Sequence, residues 1–347
     1  MHNADSTYPA ICVCLGDDTI HHLDHLAPIA FAMKSPLIHD TERLHHALKR
    51  YYPQVSPLLI PLQQDIITHL ALHCDCIFYS NANYRKNLEP LIAMLYQKQP
   101  QFWYCPHGNS DKPLSHYALQ DRALIYGNQM KRRLIQEGYA NHLKACIPIG
   151  NLRAAFYQKH RDFYDSLVEK EILSRFAKKR PLYFYAPTWR DWEETSSFPN
   201  IANALIEQLP DTINLIVKLH PWLERDLPHL VYSLEERYKN RSNLIILSNY
   251  PLVLPILKRV DLYIGDASSI GYDFLLYNRP MFFIQPTEKS FPLSQCGIVI
   301  PKESYDSLFS FIAIHIDKQK LFKKTRTALY NDAFKGKSMH HLHLQCN

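Results

Sequence analysis

Glycine is scarce in this chain, with 9 residues in 347. No G-x-G-x-x-G fingerprint occurs, which argues against a dinucleotide cofactor. Nor is there a P-loop or a G-x-S-x-G elbow. The 8 cysteines include Cys12-Val-Cys14 and Cys74-Asp-Cys76 but no C-x-x-C pair. Neither a zinc site nor a redox motif is indicated, and the thiols read as small core residues in a reducing cytoplasm. No apolar run approaches the ~18 residues that span a bilayer, and no N-terminal stretch has the layout of a signal peptide. A protein neither secreted by a standard signal nor integral to a membrane is therefore expected. The clustered basic stripe of a DNA-binding protein is missing, so no nucleic-acid partner is expected. Internal repeats and low-complexity tracts are also absent.

What is present begins with 23 prolines, so turns rely on Pro, Asn and Asp. With 46% hydrophobic and 21% charged residues, the composition is that of an ordinary globular protein. The length exceeds what one hydrophobic core usually covers, which favours two domains of about 150 to 180 residues. A formal charge of +6 suits an anionic partner such as a nucleotide, a polyphosphate chain or an acidic lipid surface.

Short apolar runs alternate with amphipathic segments throughout, the pattern of parallel sheets joined by helices. Strands are expected at Ala10–Leu15, Pro36–Ile38, Leu58–Ile60, Cys76–Tyr79, Phe102–Cys105, Ala123–Tyr126 and Cys146–Ile149. A second series follows at Leu182–Ala186, Ile213–Leu219, Leu244–Leu247, Leu262–Ile264 and Met281–Ile284. The expected fold is α/β: two Rossmann-like, doubly wound domains facing a central cleft, with ligands beyond the carboxyl ends of the strands. Residues 1–155 form the N-terminal domain on this reading, 156–180 a connector, 181–318 the C-terminal domain and 319–347 a terminal helix and tail. Lys318, Lys320, Lys323, Lys324 and Arg326 cluster there, as on a helix that lies on anionic lipid or on a plain solvated face.

Four polar motifs follow strand candidates. His107 and Gly108 end the run Phe102-Trp-Tyr-Cys-Pro; Thr188, Arg190 and Asp191 follow Tyr185-Ala-Pro; Lys218 and His220 end Leu215-Ile-Val. The fourth is Gly265-Asp266-Ala267-Ser268-Ser269-Ile270-Gly271-Tyr272-Asp273, where two hydroxyls and a carboxylate fill the turn into a helix start. Helix N-termini favour phosphate. A histidine serves as general base or, protonated, as a phosphate clamp, and an arginine fork pairs with phosphate oxygens. The set supplies what phosphoryl or glycosyl transfer from a nucleotide donor requires. His21, His22 and His25 would place two imidazoles four residues apart on a helix, but no H-E-x-x-H glutamate accompanies them, and no metal or cofactor is expected. His340, His341 and His343 read as a tail able to bind metal adventitiously.

In order, these motifs resemble the CDP-glycerol glycerophosphotransferase family, the primases and polymerases of teichoic acid synthesis. The family's W-H-G-T-x-x-K is matched by Tyr104-Cys-Pro-His107-Gly108-Asn-Ser-Asp-Lys112, and its G-x-P-R by Gly150-Asn-Leu-Arg153. Its A-P-T-x-R corresponds to Ala186-Pro-Thr188-Trp-Arg190, its K-x-H-P to Lys218-Leu-His220-Pro221, and its D-x-S-S-x-x-x-D to Asp266 through Asp273. Phe334-Lys-Gly336-Lys-Ser338 is similar to F-D-G-K-A-S. Departures fall at Gly265, Ala267 and Lys335, where the family has Thr or Ser, Tyr and Asp.

The resemblance implies a GT-B fold and a cytoplasmic transferase of cell envelope biosynthesis, possible on the inner face of the cell membrane as a peripheral protein. It would move glycerol phosphate, or a related polyol phosphate, from a CDP-linked donor to a hydroxyl acceptor that is lipid-linked in the family's habit, releasing CMP. His107 would be the base. Arg190, His220, Ser268 and Ser269 would hold the pyrophosphate with Asp273 nearby, and Gly108, Thr188, Lys218 and Asp266 would complete the substrate site. Two alternatives stay open: a GT-B glycosyltransferase using a CMP- or UDP-sugar, and a non-catalytic nucleotide-binding protein.

Overall fold

The computed structural model describes residues 8–189, 194–198, 201–248, 250–285, 287 and 290–336. They divide into two compact units. The first takes the described parts of Met1–Gly108, Pro113–Phe156 and Asp332–Asn347, and the second those of Asn109–Lys112 and Tyr157–Asn331.

The strands of the first unit are β1 (Tyr8–Val13), β2 (Leu37–His39), β3 (Pro57–Leu59), β4 (Cys74–Tyr79), β5 (Gln101–Tyr104), β6 (Arg122–Ile125) and β7 (Ala145–Pro148). They make one parallel sheet in the order β3-β2-β1-β4-β5-β6-β7. β1 lies inside the sheet with later strands added outward on both sides, so the order reverses between β1 and β4, which pair from Tyr8↔Cys74 to Val13↔Tyr79. Helices cover both faces, and the central strands are accordingly buried without alternation: Ile11, Cys12, Val13, Ile77, Phe78 and Tyr79 have no exposed surface. Each helix follows local rules. In Glu42–Tyr51 the Thr41 hydroxyl accepts from the Leu44 amide, and Leu44, Ala47, Leu48 and Tyr51 turn one face to the sheet. Burial pushes the Cys14 and Cys105 thiols up to about 12, which leaves them as packing groups.

The second unit contains β8 (Leu182–Ala186), β9 (Asn214–Lys218), β10 (Leu244–Leu247), β11 (Leu262–Gly265), β12 (Met281–Ile284) and β13 (Ile298–Ile300), again all parallel, in the order β10-β9-β8-β11-β12-β13. This is the doubly wound Rossmann order, with its reversal between β8 and β11. Its core gathers Tyr185, Leu205, Leu215, Val217, Leu262, Ile264 and Phe282, all at most 1% exposed. Twelve strands lie where the apolar runs place them. β13 was not anticipated: three residues after the one-turn helix Pro292–Cys296 are too few to carry a period.

The segment expected as a connector forms the helix Arg161–Glu171, which packs within the second unit through buried Tyr164 and Val168 and through Asp165, 2.6 Å from the Lys258 ammonium. The basic run near the end also changes character. Arg326 is 1% exposed, and its guanidinium donates to Asn278 Oδ1, to the Cys296 carbonyl and to Gln319, so it locks the core and leaves only lysines outside. At Gly336 the chain runs so close to the backbone of Gly150 that a Cβ would lie 1.9 Å from the Gly150 nitrogen, so only glycine fits there. Among the described residues, no helix is long and apolar enough to cross a membrane.

Candidate functional site

In the first unit the polar ends of the strands gather around His107. β5 continues past Tyr104 with one more ladder bond, from the Cys105 amide to the Tyr79 carbonyl at 2.7 Å. The chain then turns at Pro106, whose carbonyl accepts from the Tyr126 hydroxyl at 2.8 Å. Because that hydroxyl proton is committed to Pro106, His25, 3.0 Å away through Nδ1, must donate to the Tyr126 oxygen. Burial lowers the pKa of His25 and keeps it neutral, so a fixed chain from His25 to Tyr126 to Pro106 sets the turn that carries His107.

The His107 ring reaches solvent, yet the protein packed about it still desolvates it. Its pKa falls below the usual imidazole value, opposed by a hydrogen bond to the Ser80 backbone. Two more imidazoles face it, that of His22 with ring centres 4.5 Å apart and that of His21 at 5.6 Å. The sequence joins His21 and His22 with His25; the structure sends His25 to Tyr126 and brings in His107 from beyond β5 instead.

In the second unit, three of the four motifs stand at the carboxyl ends of β9, β8 and β11, which are neighbours in the sheet. Asp266 organises them. It has no exposed surface; one carboxylate oxygen accepts from the Thr188 amide at 2.9 Å, and the other accepts from the Ser197 amide and hydroxyl, each at 2.8 Å. Burial raises its pKa to about 6, with those hydrogen bonds and Lys112 pulling the other way. Both of its oxygens accept from protein donors, and through them Asp266 holds the turn after β8.

Thr188 is 3% exposed, and its hydroxyl accepts from the Lys112 ammonium at 2.6 Å. The same ammonium lies 5.0 Å from the centre of the Trp189 ring. Trp189 meets Trp222 edge to face at 4.7 Å, and His220 stands 5.9 Å from Trp222. His220 is half-buried and caps the helix Pro221–Asp226, its Nδ1 accepting from the Trp222 amide at 3.2 Å. A neutral ring in that bond carries its proton on Nε2. Lys218 is buried at 5%, with its ammonium 3.4 Å from the Leu219 carbonyl, and Asp273 is buried at 4% on the helix Ser269–Phe274. Ser268 spends its hydroxyl on capping that helix, at 3.4 Å from the Ile270 amide, while Ser269 and Gly108 are half-buried. Arg190 and Asp191 lie outside the described residues.

Two features were hidden in the sequence. Lys112 appears there only as the last letter of the His107 motif, and its partner Thr188 is 76 residues away. Gly265 has a packing cause: a Cβ there would lie 2.1 Å from the Tyr263 hydroxyl, because that buried ring fills the space a side chain would take.

The sequence model of the family described as CDP-Glycerol:Poly(glycerophosphate) glycerophosphotransferase matches residues 88–299. The teichoic acid glycerol-phosphate primase of Bacillus subtilis (strain 168) is 33% identical over 107 residues, covering 30% of this chain and 26% of that protein. The enzyme of the same name from Bacillus spizizenii is 31% identical over 168 residues, 48% of this chain and 40% of its own length. The matched stretches thus span well under half of these relatives. Among solved structures, a variant of the wall teichoic acid polymerase TagF superposes with a TM-score of 0.66 at 13% identity, over 99% of this chain and 89% of that one. Anabaena Alr3699/HepE in complex with UDP-glucose gives 0.56 at 11% identity, over 97% of both chains. At such identities the likeness concerns the fold: two Rossmann-like domains of the GT-B kind.

Proposed function

Because this chain belongs to the CDP-glycerol:poly(glycerophosphate) glycerophosphotransferase family, we propose that it transfers glycerol phosphate, or a related polyol phosphate, from a CDP-linked donor to a hydroxyl acceptor. The observation that carries this reading is the set of polar turns at the carboxyl ends of β9, β8 and β11, beside the strand-order reversal where doubly wound sheets receive ligands. A lysine, a histidine and hydroxyls meet there, held by a buried carboxylate.

In this mechanism the neutral His107 takes the proton of the acceptor hydroxyl. The oxygen bonds to the β-phosphorus, the bridging P–O bond breaks, and CMP departs with the bridging oxygen. Lys112, Arg190 and the Nε2–H of His220 stabilise the charge that grows on the phosphates, and Ser269 adds a hydroxyl. Little covalent chemistry falls to the protein, so positioning and charge stabilisation do most of the catalysis.

Location at a membrane surface is part of the same proposal. Ile314 and Leu321 are 74% and 78% exposed, amid the exposed Lys318, Lys320, Lys323 and Lys324. Exposed apolar side chains interspersed with lysines along the chain suit an anionic lipid interface on the cytoplasmic side.

A thermal-shift series with CDP-glycerol, CDP-ribitol, CMP, UDP and UDP-sugars tests the donor. A ligand that binds only the folded state raises stability with the logarithm of its concentration over Kd, by about 2.7 kcal/mol at a hundredfold excess. The expected result is the largest shift with a CDP-polyol. A shift with UDP-sugars and none with CDP-polyols would overturn the proposal in favour of a sugar transferase.

A further inference from the structure

The grouping of His21, His22 and His107 is not needed for acceptor deprotonation, which takes one imidazole. We propose that these three side chains form a binding site for a divalent cation of the zinc class, with one coordination position open to solvent.

The geometry supports this directly. One ligand nitrogen from each ring lies within 4.8 Å of the other two. Tetrahedral zinc, with Zn–N bonds of about 2.0–2.1 Å, holds its nitrogens about 3.3 Å apart. From a triangle no wider than 4.8 Å, each ring closes the difference by moving under about 1 Å, within reach of small side-chain rotations.

The rings come from two anchored segments. His21 and His22 end the 3-10 turn Asp17–His22, which runs into the helix Leu23–Met33. That turn is pinned by the Thr19 hydroxyl on the Leu15 and Gly16 carbonyls, by Asp40 on the Gly16 amide at 2.8 Å, and by Thr41 on Asp17 at 2.7 Å. His107 is fixed through Pro106 and Tyr126. Both segments are therefore preorganised for a shared ligand, and little ordering remains to be done on binding.

The burial gradient defines the coordination type. His22 is buried, His21 half-buried and His107 exposed. Three protein ligands with one side facing water is the pattern of an open zinc site; a structural site would close with a fourth side chain. Imidazole donors without a carboxylate favour zinc, copper or nickel over magnesium and calcium.

This site does not rest on the transferase reading. A cation on the His107 lone pair would in fact withdraw it from service as a base, so binding is measured on the substrate-free protein and turnover separately with and without chelator.

The test uses the full chain carrying His340→Ala, His341→Ala and His343→Ala, which removes the adventitious tail ligands. Zinc is titrated calorimetrically and cobalt(II) by visible absorption. The expected result is one saturable equivalent with the strong absorption of four-coordinate cobalt, and a loss of affinity of about tenfold or more in His21→Ala and in His107→Ala. Both of these side chains reach the surface, so the variants are expected to fold; circular dichroism checks that they do. Absence of saturable binding, or affinity unchanged in either variant, overturns the proposal whether or not the protein transfers polyol phosphate.

Discussion

The Lys112 ammonium donates to the Thr188 hydroxyl across 2.6 Å while lying over the Trp189 ring. Asp266 fixes the other end of this arrangement through the Thr188 amide at 2.9 Å. A cation, a hydroxyl and a buried carboxylate thus form one unit at the turn after β8. If Lys112 neutralises phosphate there, Lys112→Met lowers kcat/KM for the CDP-polyol by about 10- to 100-fold, the range of a lost charge-assisted hydrogen bond. Lys112→Arg recovers only part, because a guanidinium cannot place a point charge in the same spot. Steady-state kinetics on the three proteins check this.

The lowered pKa of His107 sets a pH dependence. A base works in its neutral form, and a pKa below the ordinary 6.5 keeps that form present into mildly acidic solution. The acidic limb of kcat/KM is therefore expected to bend at a pH under 6.5. His107→Asn is expected to lower kcat by about 10²- to 10⁴-fold and to abolish that limb. A limb that persists unchanged in the variant would assign it to another group.

His220 caps the helix Pro221–Asp226 and, in the proposed function, also holds the donor; one substitution separates the two. Asparagine is a good helix cap, so His220→Asn keeps an acceptor for the Trp222 amide and removes the distal nitrogen. Its melting temperature is expected to match that of the parent while donor affinity drops. His220→Ala loses the cap as well, at about 1 kcal/mol of stability. Equal donor affinity in His220→Asn and the parent would leave the ring with the cap alone.

Asp266 links the same turn to stability. Its folded-state pKa of about 6 lies above the ordinary 3.8, so the native state binds the extra proton between those values. The group's contribution to stability is full below pH about 4 and falls as the pH rises through 6, by up to about 3 kcal/mol. Asp266→Ala removes this slope and leaves the Thr188 and Ser197 donors without their acceptor. Urea unfolding of both proteins from pH 4 to 7 is expected to give curves that differ in slope across this window.

Lipid attachment gives a further expectation. Co-sedimentation with anionic vesicles at low salt is expected to fall in Leu321→Ser and in the Lys323→Gln, Lys324→Gln double variant, and to weaken with salt for the parent. Binding that is equal in all three would remove this face from the proposal.

Much of the fold could be read from the chain because a parallel sheet buried on both faces needs continuous apolar runs, such as Ile11–Val13 and Leu215–Val217. β13 escaped because three residues hold no period. The site was legible only as types of residue at strand ends. Its pairings were not, since Lys112 with Thr188, or His107 with His21 and His22, depend on the order of strands in each sheet. Burial then separated residues the motifs treat alike: Asp266 and Lys218 point inward, and His107 and His220 retain surface. Arg326 shows the same limit, since a basic run does not reveal which member folds into the core.

Transfer of a phosphate-bearing group is read out by phosphorus-31 NMR of the reaction with CDP-glycerol and a glycerol-phosphate acceptor. The β-phosphorus of the donor is expected to appear as a new phosphodiester in step with CMP, one for one, and His107→Asn to form both about 10²- to 10⁴-fold more slowly. Release of CDP with no new phosphodiester, or a donor that stays intact while UDP-sugar is consumed, would contradict it.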